Sequence, residues 1–230
     1  MIVNTFAGPM AIDVSDCWIR NHMLGGRMFE EDLIRRIIGP KITKARYIID
    51  AGANIGCHTI SYARMNPEAR IWSFEPQDSL HDILQFNVKN NNLEERVTIS
   101  KQALGHAEGQ FNFVDESTQF HPGHGVNKGG IGLGSGGQKV TMTTIDALGL
   151  PGLDYMKIDV EGAEGLVIQG GKKTIAKYKP IICFEHNFQR VDPKDVNLTT
   201  VPTPFEALVE LGYNTFVHVG DNNYMTQIEG

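Results

Sequence analysis

The stretch "YIIDAGANIG", residues 47–56, restricts this chain more than any other. Tyr47, Ile48 and Ile49 are aromatic and β-branched, the composition of a strand. Gly52, Asn54 and Gly56 follow, residue types that tolerate left-handed backbone, so the chain can bend sharply there. A helical pattern begins near Gly56 and stops at Asn66-Pro67, because proline disfavours helical geometry in the residue before it. Strand, bend and helix in this order open a parallel βαβ unit.

The alternation continues and predicts further strands at 70–75, 97–100, 155–159 and 180–185. Leu80, Ile83, Leu84 and Val88 recur at helical spacing between the second and third, with Asp78-Ser79 as the expected cap. Another helix is expected from Glu161 to just before Lys179-Pro180. A helix over 204–211 leads to strands at 213–219 and 224–228 around the turn Gly220-Asp221-Asn222-Asn223, hence a final antiparallel pair. Residues 17–38 read as helical, and 110–114 with 139–145 read as an extra pair of strands. Residues 117–138 are dense in glycine and lack apolar periodicity, which marks a loop tied to function. With 230 residues, 41% of them apolar, the expectation is one α/β domain over 1–230: a helical cap or lid over 1–46 and a core over 47–230 carrying the glycine-rich loop.

A formal net charge of −6 gives no electrostatic footprint for phosphate backbones or anionic membranes, so nucleic acid is not an expected partner. The start lacks a secretory pattern and no apolar run approaches the ~18 residues of a membrane span, so a cytoplasmic protein without a membrane partner is expected. Three cysteines, Cys17, Cys57 and Cys183, lack CxxC spacing, which suggests neither disulfides nor zinc, and Cys57 and Cys183 read as small buried residues.

The bend does not suit a dinucleotide. That fingerprint needs glycine at its first, third and sixth positions, which here are Gly52, Asn54 and Cys57. Asp50, at the start of the bend, would also repel a pyrophosphate. S-adenosylmethionine meets the demand better: it carries a sulfonium and an ammonium, and its ribose offers two hydroxyls to a carboxylate. Glu75 ends the second strand, where an α/β sheet presents an acid to a ribose, and hydrogen bonds to an ionised carboxylate are strong.

At this point the sequence resembles the FkbM-type methyltransferases of the class I, S-adenosylmethionine-dependent superfamily. The matching stretches are "IIDAGANIG" (48–56), "SFEP" (73–76), "ALG" (103–105), "TTIDAL" (143–148), "MKIDVEGAE" (156–164) and "ICFEHN" (182–187). The resemblance implies a Rossmann-like class I methyltransferase fold, a mostly parallel seven-stranded sheet with helices on both faces and an antiparallel C-terminal hairpin. It implies that Asp50, Gly52, Asn54, Ile55 and Gly56 form the cofactor bend, that Glu75 takes the ribose beside Pro76, and that Gln102 and Ala103 lie along the adenine. The sulfonium end would lie near Asp159, and Glu30, in "MFEED", near the methionine moiety. The implied reaction is O-methylation of a sugar or other hydroxylated small molecule, a small-molecule or glycan acceptor, with S-adenosylhomocysteine as product.

A hydroxyl acceptor has to lose its proton, which calls for a base or a metal. The candidates cluster at the ends of the fourth and fifth strands: Asp159, Glu161, Glu185, His186 and Asn187. His186 is the natural general base, since its ordinary pKa lies near neutrality. Glu161 also suits the first turn of the following helix, where its charge complements the dipole. No metal is assigned, although Asp159 with Glu185 or Asn187 is compatible with an oxygen-rich Mg2+ site. His121 and His124 in the glycine-rich loop, with Asn187, are the expected substrate contacts, while His58 and Thr59 are expected to satisfy hydrogen bonds at a helix end. Two alternatives stand beside this reading: an NAD-dependent oxidoreductase on a related sheet, opposed by Asn54, Cys57 and Asp50, and a non-catalytic cofactor-binding homologue.

Overall fold

Seven strands form the main sheet, numbered here along it: β1 (Tyr47–Ala51), β2 (Arg70–Phe74), β3 (Val97–Ser100), β4 (Tyr155–Ile158), β5 (Ile181–Glu185), β6 (Phe216–Gly220) and β7 (Asn223–Thr226). The computed structural model describes residues 1–113, 120–121, 125–130, 132–134, 138–186 and 191–228. The strand order is β6-β7-β5-β4-β1-β2-β3. Pairing from β5 through β3 is parallel, and β7 runs antiparallel to both β5 and β6. The predicted terminal hairpin is therefore present. The order reverses between β1 and β4, and ligands of open α/β sheets bind outside the strand ends at such a switch point.

The central strands are apolar on both faces because helices cover both. Ile48 packs with Ile60, Tyr62 and Leu84, while its neighbour Ile49 packs on the other face with Met156, Ile158 and Val167. Cys57 and Cys183 are buried free thiols, as expected. The insertion after β3 forms its own sheet, in which Gln138–Thr143 pairs antiparallel with Gly109–Phe113 and parallel with Ala103–Leu104.

Several expected elements differ in detail. The helix expected over 17–38 is two pieces, Cys17–Met23 and a π-helical turn Leu33–Ile38, separated by a stretch containing Gly25 and Gly26, the latter at φ +78. Gln77 precedes the helix Asp78–Asn90, and Asp78 makes no cap; its carboxylate instead meets Lys101 and Gln138. The helix expected from Glu161 starts at Glu164 and breaks at Gly171 into Glu164–Gly170 and Lys172–Tyr178. A hairpin of Ile2–Thr5 and Gly8–Ala11, absent from the sequence reading, precedes all of these. Among the described residues no helix is long and apolar enough to cross a membrane.

Asn87, fully buried in the helix Asp78–Asn90, joins that hairpin to the bend after β1. Its Oδ1 accepts from Ala11 N at 2.6 Å, and its Nδ2 donates to Ala11 O at 3.0 Å and Ile55 O at 2.8 Å. An alanine would leave three backbone groups without partners. Since each buried unsatisfied group costs about 1–3 kcal/mol, Asn87→Ala should lower the stability measured by urea unfolding by at least about 2 kcal/mol.

Candidate active site

The bend after β1 is held from both sides. Gly52 N and Ala53 N donate to Phe74 O at the end of β2, and Asn54 N donates to Glu75 Oε2 at 2.9 Å. Gly52 sits at φ +80, and a Cβ there would lie 1.7 Å from the Asp159 carbonyl oxygen, so only glycine lets the bend touch the end of β4. Asn54 also takes left-handed backbone, at φ 52, and its side-chain Oδ1 accepts from Ile55 N at 2.7 Å. Asp50 lies inside β1, buried, and accepts from Thr59 Oγ1 at 2.5 Å. Thr59 Oγ1 also contacts Ser73 Oγ at 2.8 Å, so β1, β2 and the helix Cys57–Met65 are tied together at one point.

At the switch point opens a cavity of about 580 Å³. Of the residues read from sequence, its wall includes Glu30, Gly52, Asn54, Glu75, Pro76, Ala103, Asp159, Glu161 and Glu185. Asp50, Ile55, Gly56, Gln102 and His186 stand outside the wall, Asp50 and Gly56 shaping the bend from behind. The His186 ring packs edge-on against Phe205, with centroids 5.1 Å apart. His121 belongs to a short strand whose side chains are not described, and His124 and Asn187 lie outside the described residues. From the glycine-rich loop, Asn127, Gly129 and Leu133 reach the wall.

Two clusters of charge face the cavity. In the first, Lys157 is 1% exposed, and its Nζ lies 2.8 Å from Asp159 Oδ2. Burial alone would depress the lysine, but the charges of Asp159 and Glu30 hold it well above its usual range. Burial would likewise raise Asp159, yet the Lys157 ammonium and a hydrogen bond from Glu185 hold it low. Glu185 is pushed far up by burial and by the Asp159 charge beside it, so it keeps its proton and donates it to Asp159. Carboxylate oxygens of Asp159, Glu161 and Glu185 all lie within 4.8 Å of one another.

In the second cluster, Glu30 Oε2 meets His58 Nε2 at 2.7 Å, and Glu30 Oε1 accepts from Asn223 Nδ2 at 2.8 Å. His58 Nδ1 contacts Tyr62 Oη at 2.6 Å, an arrangement satisfied when Nε2 carries the proton and Nδ1 accepts. His58 thus does more than the helix-end role expected of it. It anchors an acid from the N-terminal segment over the cavity. Glu30, Asn54, Glu161 and Asp221 all line the wall with positive φ, so left-handed backbone concentrates at this site.

Glu75 is buried at the end of β2, and its two oxygens accept from Asn54 N and Gln77 N, each at 2.9 Å. Burial raises it to about 7, against the pull of those two N–H groups. The sequence reading missed Lys157 and the turn residues Asp221, Asn222 and Asn223. A signal for Lys157 existed: a lysine in an otherwise apolar central strand needs a partner, and Asp159 two residues on shares its face.

The sheet order, the hairpin and the cavity at the switch point define a class I methyltransferase fold. Residues 50–213 match the FkbM methyltransferase domain, and the chain belongs to that family. The solved structure of methyltransferase FkbM from Methylobacillus flagellatus KT is similar at a TM-score of 0.54 and 16% identity, over 79% of this chain and 43% of that one. The chain therefore spans less than half the length of that relative. A structure from Klebsiella pneumoniae described as a candidate O-methyltransferase is similar at a TM-score of 0.51 and 14% identity, over 93% of this chain and 88% of that one. A sequence search among curated proteins gives no match.

Glu164, buried at the start of its helix, accepts from Val160 N and Gly162 N, each at 3.1 Å, and so shapes the turn that carries Glu161. Burial raises its carboxyl from 4.5 to about 7. Between those values the native state holds a proton that the unfolded chain has released, so this group's contribution to stability is present below pH 4.5 and is lost as pH rises through about 7. Glu164→Gln removes that slope. The difference in unfolding free energy between wild type and variant, followed from pH 4.5 to 7.5, should change by up to about 3 kcal/mol against the wild type.

Proposed function

We propose that this protein is an S-adenosylmethionine-dependent methyltransferase acting on a hydroxyl oxygen of a sugar or other hydroxylated small molecule. The observation that carries the cofactor is Glu75: a carboxylate facing the cavity at the end of β2, each oxygen fixed by one backbone N–H with further lone pairs left for two ribose hydroxyls. Gly52 and Asn54 provide the close-packed floor, Pro76 and Ala103 flank the adenine position, and Glu30, oriented by His58 and Asn223, receives the methionine end. Bound there, S-adenosylmethionine supplies an electrophilic methyl group and is released as S-adenosylhomocysteine. The N-terminal segment, through Trp18, Phe29 and Glu30, and the loop residues Asn127 and Gly129 act as a lid that keeps water out.

The acceptor's proton goes to Asp159. An alcohol is a poor acid, but its oxygen becomes strongly acidic as the C–O bond forms, so even a carboxylate held low by Lys157 can take the proton late in the step. Glu185, already protonated, donates a hydrogen bond to Asp159 and fixes the orientation of that carboxylate. This assigns the base to Asp159 rather than His186, whose ring packs on Phe205 away from the wall. The carboxylate group fits Mg2+ poorly: Asp159 is already neutralised by Lys157 at 2.8 Å, and Glu185 would have to give up its proton. Family membership sets the oxidoreductase alternative aside.

Calorimetry with S-adenosylhomocysteine should show micromolar or tighter binding to the wild type, weakened at least tenfold, or about 1.4 kcal/mol, in Glu75→Ala. Absence of binding to the wild type removes the reading, and an unchanged variant removes the role of Glu75. With labelled S-adenosylmethionine and an identified acceptor, Asp159→Asn should lower kcat by about 10²–10⁴-fold, the range of a lost general base. Loss through KM alone would assign Asp159 to binding instead.

A further inference from the structure

Asn223 begins β7 with its backbone paired to Glu185 of β5 on one side and to Gly220 of β6 on the other, so the sheet fixes where its side chain points. That side chain lines the cavity wall at 2% exposure. Its Nδ2 donates to Glu30 Oε1 at 2.8 Å. Burial would raise the Glu30 carboxyl, but the hydrogen bond with His58 and the charge of Lys157 hold it low, so it stands as a carboxylate. A carboxylate only accepts, and this sets the orientation of the amide: the reversed group would press Oδ1 against a negative oxygen.

With Nδ2 committed in this way, Asn223 Oδ1 receives no hydrogen bond among the described residues. A buried carboxamide oxygen without a donor is costly and uncommon, and a ligand that brings an N–H or O–H into the cavity satisfies it. S-adenosylmethionine offers its adenine amino group, its ribose hydroxyls and its methionine ammonium. In the reading above, Pro76 and Ala103 flank the adenine and Glu75 takes the ribose, all on the β2–β3 side of the switch point. Asn223 stands on the other side, beyond β4 and β5, and touches the acid that receives the methionine end. The ammonium is the cofactor donor that remains there, and its several N–H groups can be divided between neighbouring acceptors.

We propose that Asn223 is a cofactor-binding residue whose Oδ1 accepts a hydrogen bond from the methionine ammonium of S-adenosylmethionine, completing with Glu30 a seat built from the N-terminal segment and the final hairpin. Glu30 supplies the charge that offsets the ammonium, and the carboxamide supplies a second, neutral acceptor. Each group also holds the other in place, since Nδ2 of the amide bonds the carboxylate. The inference rests on the S-adenosylmethionine reading and extends the cofactor contacts to a residue far from the bend and the end of β2.

The test is calorimetry on the full chain with S-adenosylhomocysteine, its analogue lacking the amino group, and 5′-methylthioadenosine, which lacks the amino-acid portion altogether. The wild type should bind S-adenosylhomocysteine at least about tenfold tighter than the deaminated analogue. Asn223→Ala should shrink that ratio about fivefold or more, while its affinity for 5′-methylthioadenosine stays within about twofold of the wild type. Asn223→Asp keeps an acceptor oxygen and loses the donor to Glu30, so it should preserve the ratio. Loss of the ratio in both variants would mean that the amide acts only by supporting Glu30, and overturns the proposal. An unchanged ratio in Asn223→Ala also overturns it and assigns the oxygen to the methyl acceptor. Loss of 5′-methylthioadenosine binding in both variants makes Asn223 a residue of the fold and overturns it as well. Failure of the wild type to bind either S-adenosylhomocysteine or 5′-methylthioadenosine is a different result, and counts against the methyltransferase reading.

Discussion

A lysine ammonium at the centre of the sheet governs the organisation of this molecule. Lys157 lies in β4 in register with Asp50 of β1, has almost no exposed surface, and reaches Asp159 at 2.8 Å. A charge taken out of water is tolerated only when an opposite charge and further hydrogen bonds replace its hydration. That requirement keeps Asp159 ionised at the end of β4, and burial together with the Asp159 charge keeps Glu185 protonated at the end of β5. The backbone of the same Asp159 limits the other side: its carbonyl leaves room for nothing larger than glycine at position 52. The acidic end of the cavity and the cofactor bend therefore meet at one residue.

Distant segments close over this centre through polar contacts. Glu30 reaches His58 behind the bend and Asn223 on the last strand, joining residues 193 apart in sequence. Lys128 in the glycine-rich loop pairs with Asp13 at 2.6 Å, and its backbone N–H donates to Asp16, which also caps the helix Cys17–Met23. Asn87 fastens the N-terminal hairpin to the bend. The N-terminal segment is also packed into the core through Met10, Ile19, Met23 and Met28, so these bonds add direction to a cover that apolar burial already holds.

Much of this was legible in the sequence because it depends on short-range rules. Periodicity and proline positions located the seven strands to within a few residues, and Gly220 through Asn223 announced the hairpin. The bend and Glu75 were readable because both lie at strand ends, where an α/β sheet presents ligand contacts. The helix break at Gly25 and Gly26 and the displaced start at Glu164 were less legible, since left-handed backbone at Gly26 and Gly162 and the Glu164 carboxyl on Val160 N and Gly162 N, rather than apolar periodicity, mark those boundaries. Asp50 looked like a ligand acid from its place beside the bend. In the fold its carboxylate turns inward to Thr59, a choice between two faces that sequence spacing alone does not make.

By itself, the sequence determined the α/β alternation, the strand-end acids and the glycines that let a loop approach a neighbouring strand, because these follow from residue geometry and periodicity. Only the tertiary structure decided which acids face one another and with what charge. Lys157, Asp159 and Glu185 come from two strands, Glu30 from the N-terminal segment and Asn223 from the final hairpin. Their protonation depends on burial and on separations of a few ångströms, quantities that exist only once the chain is folded.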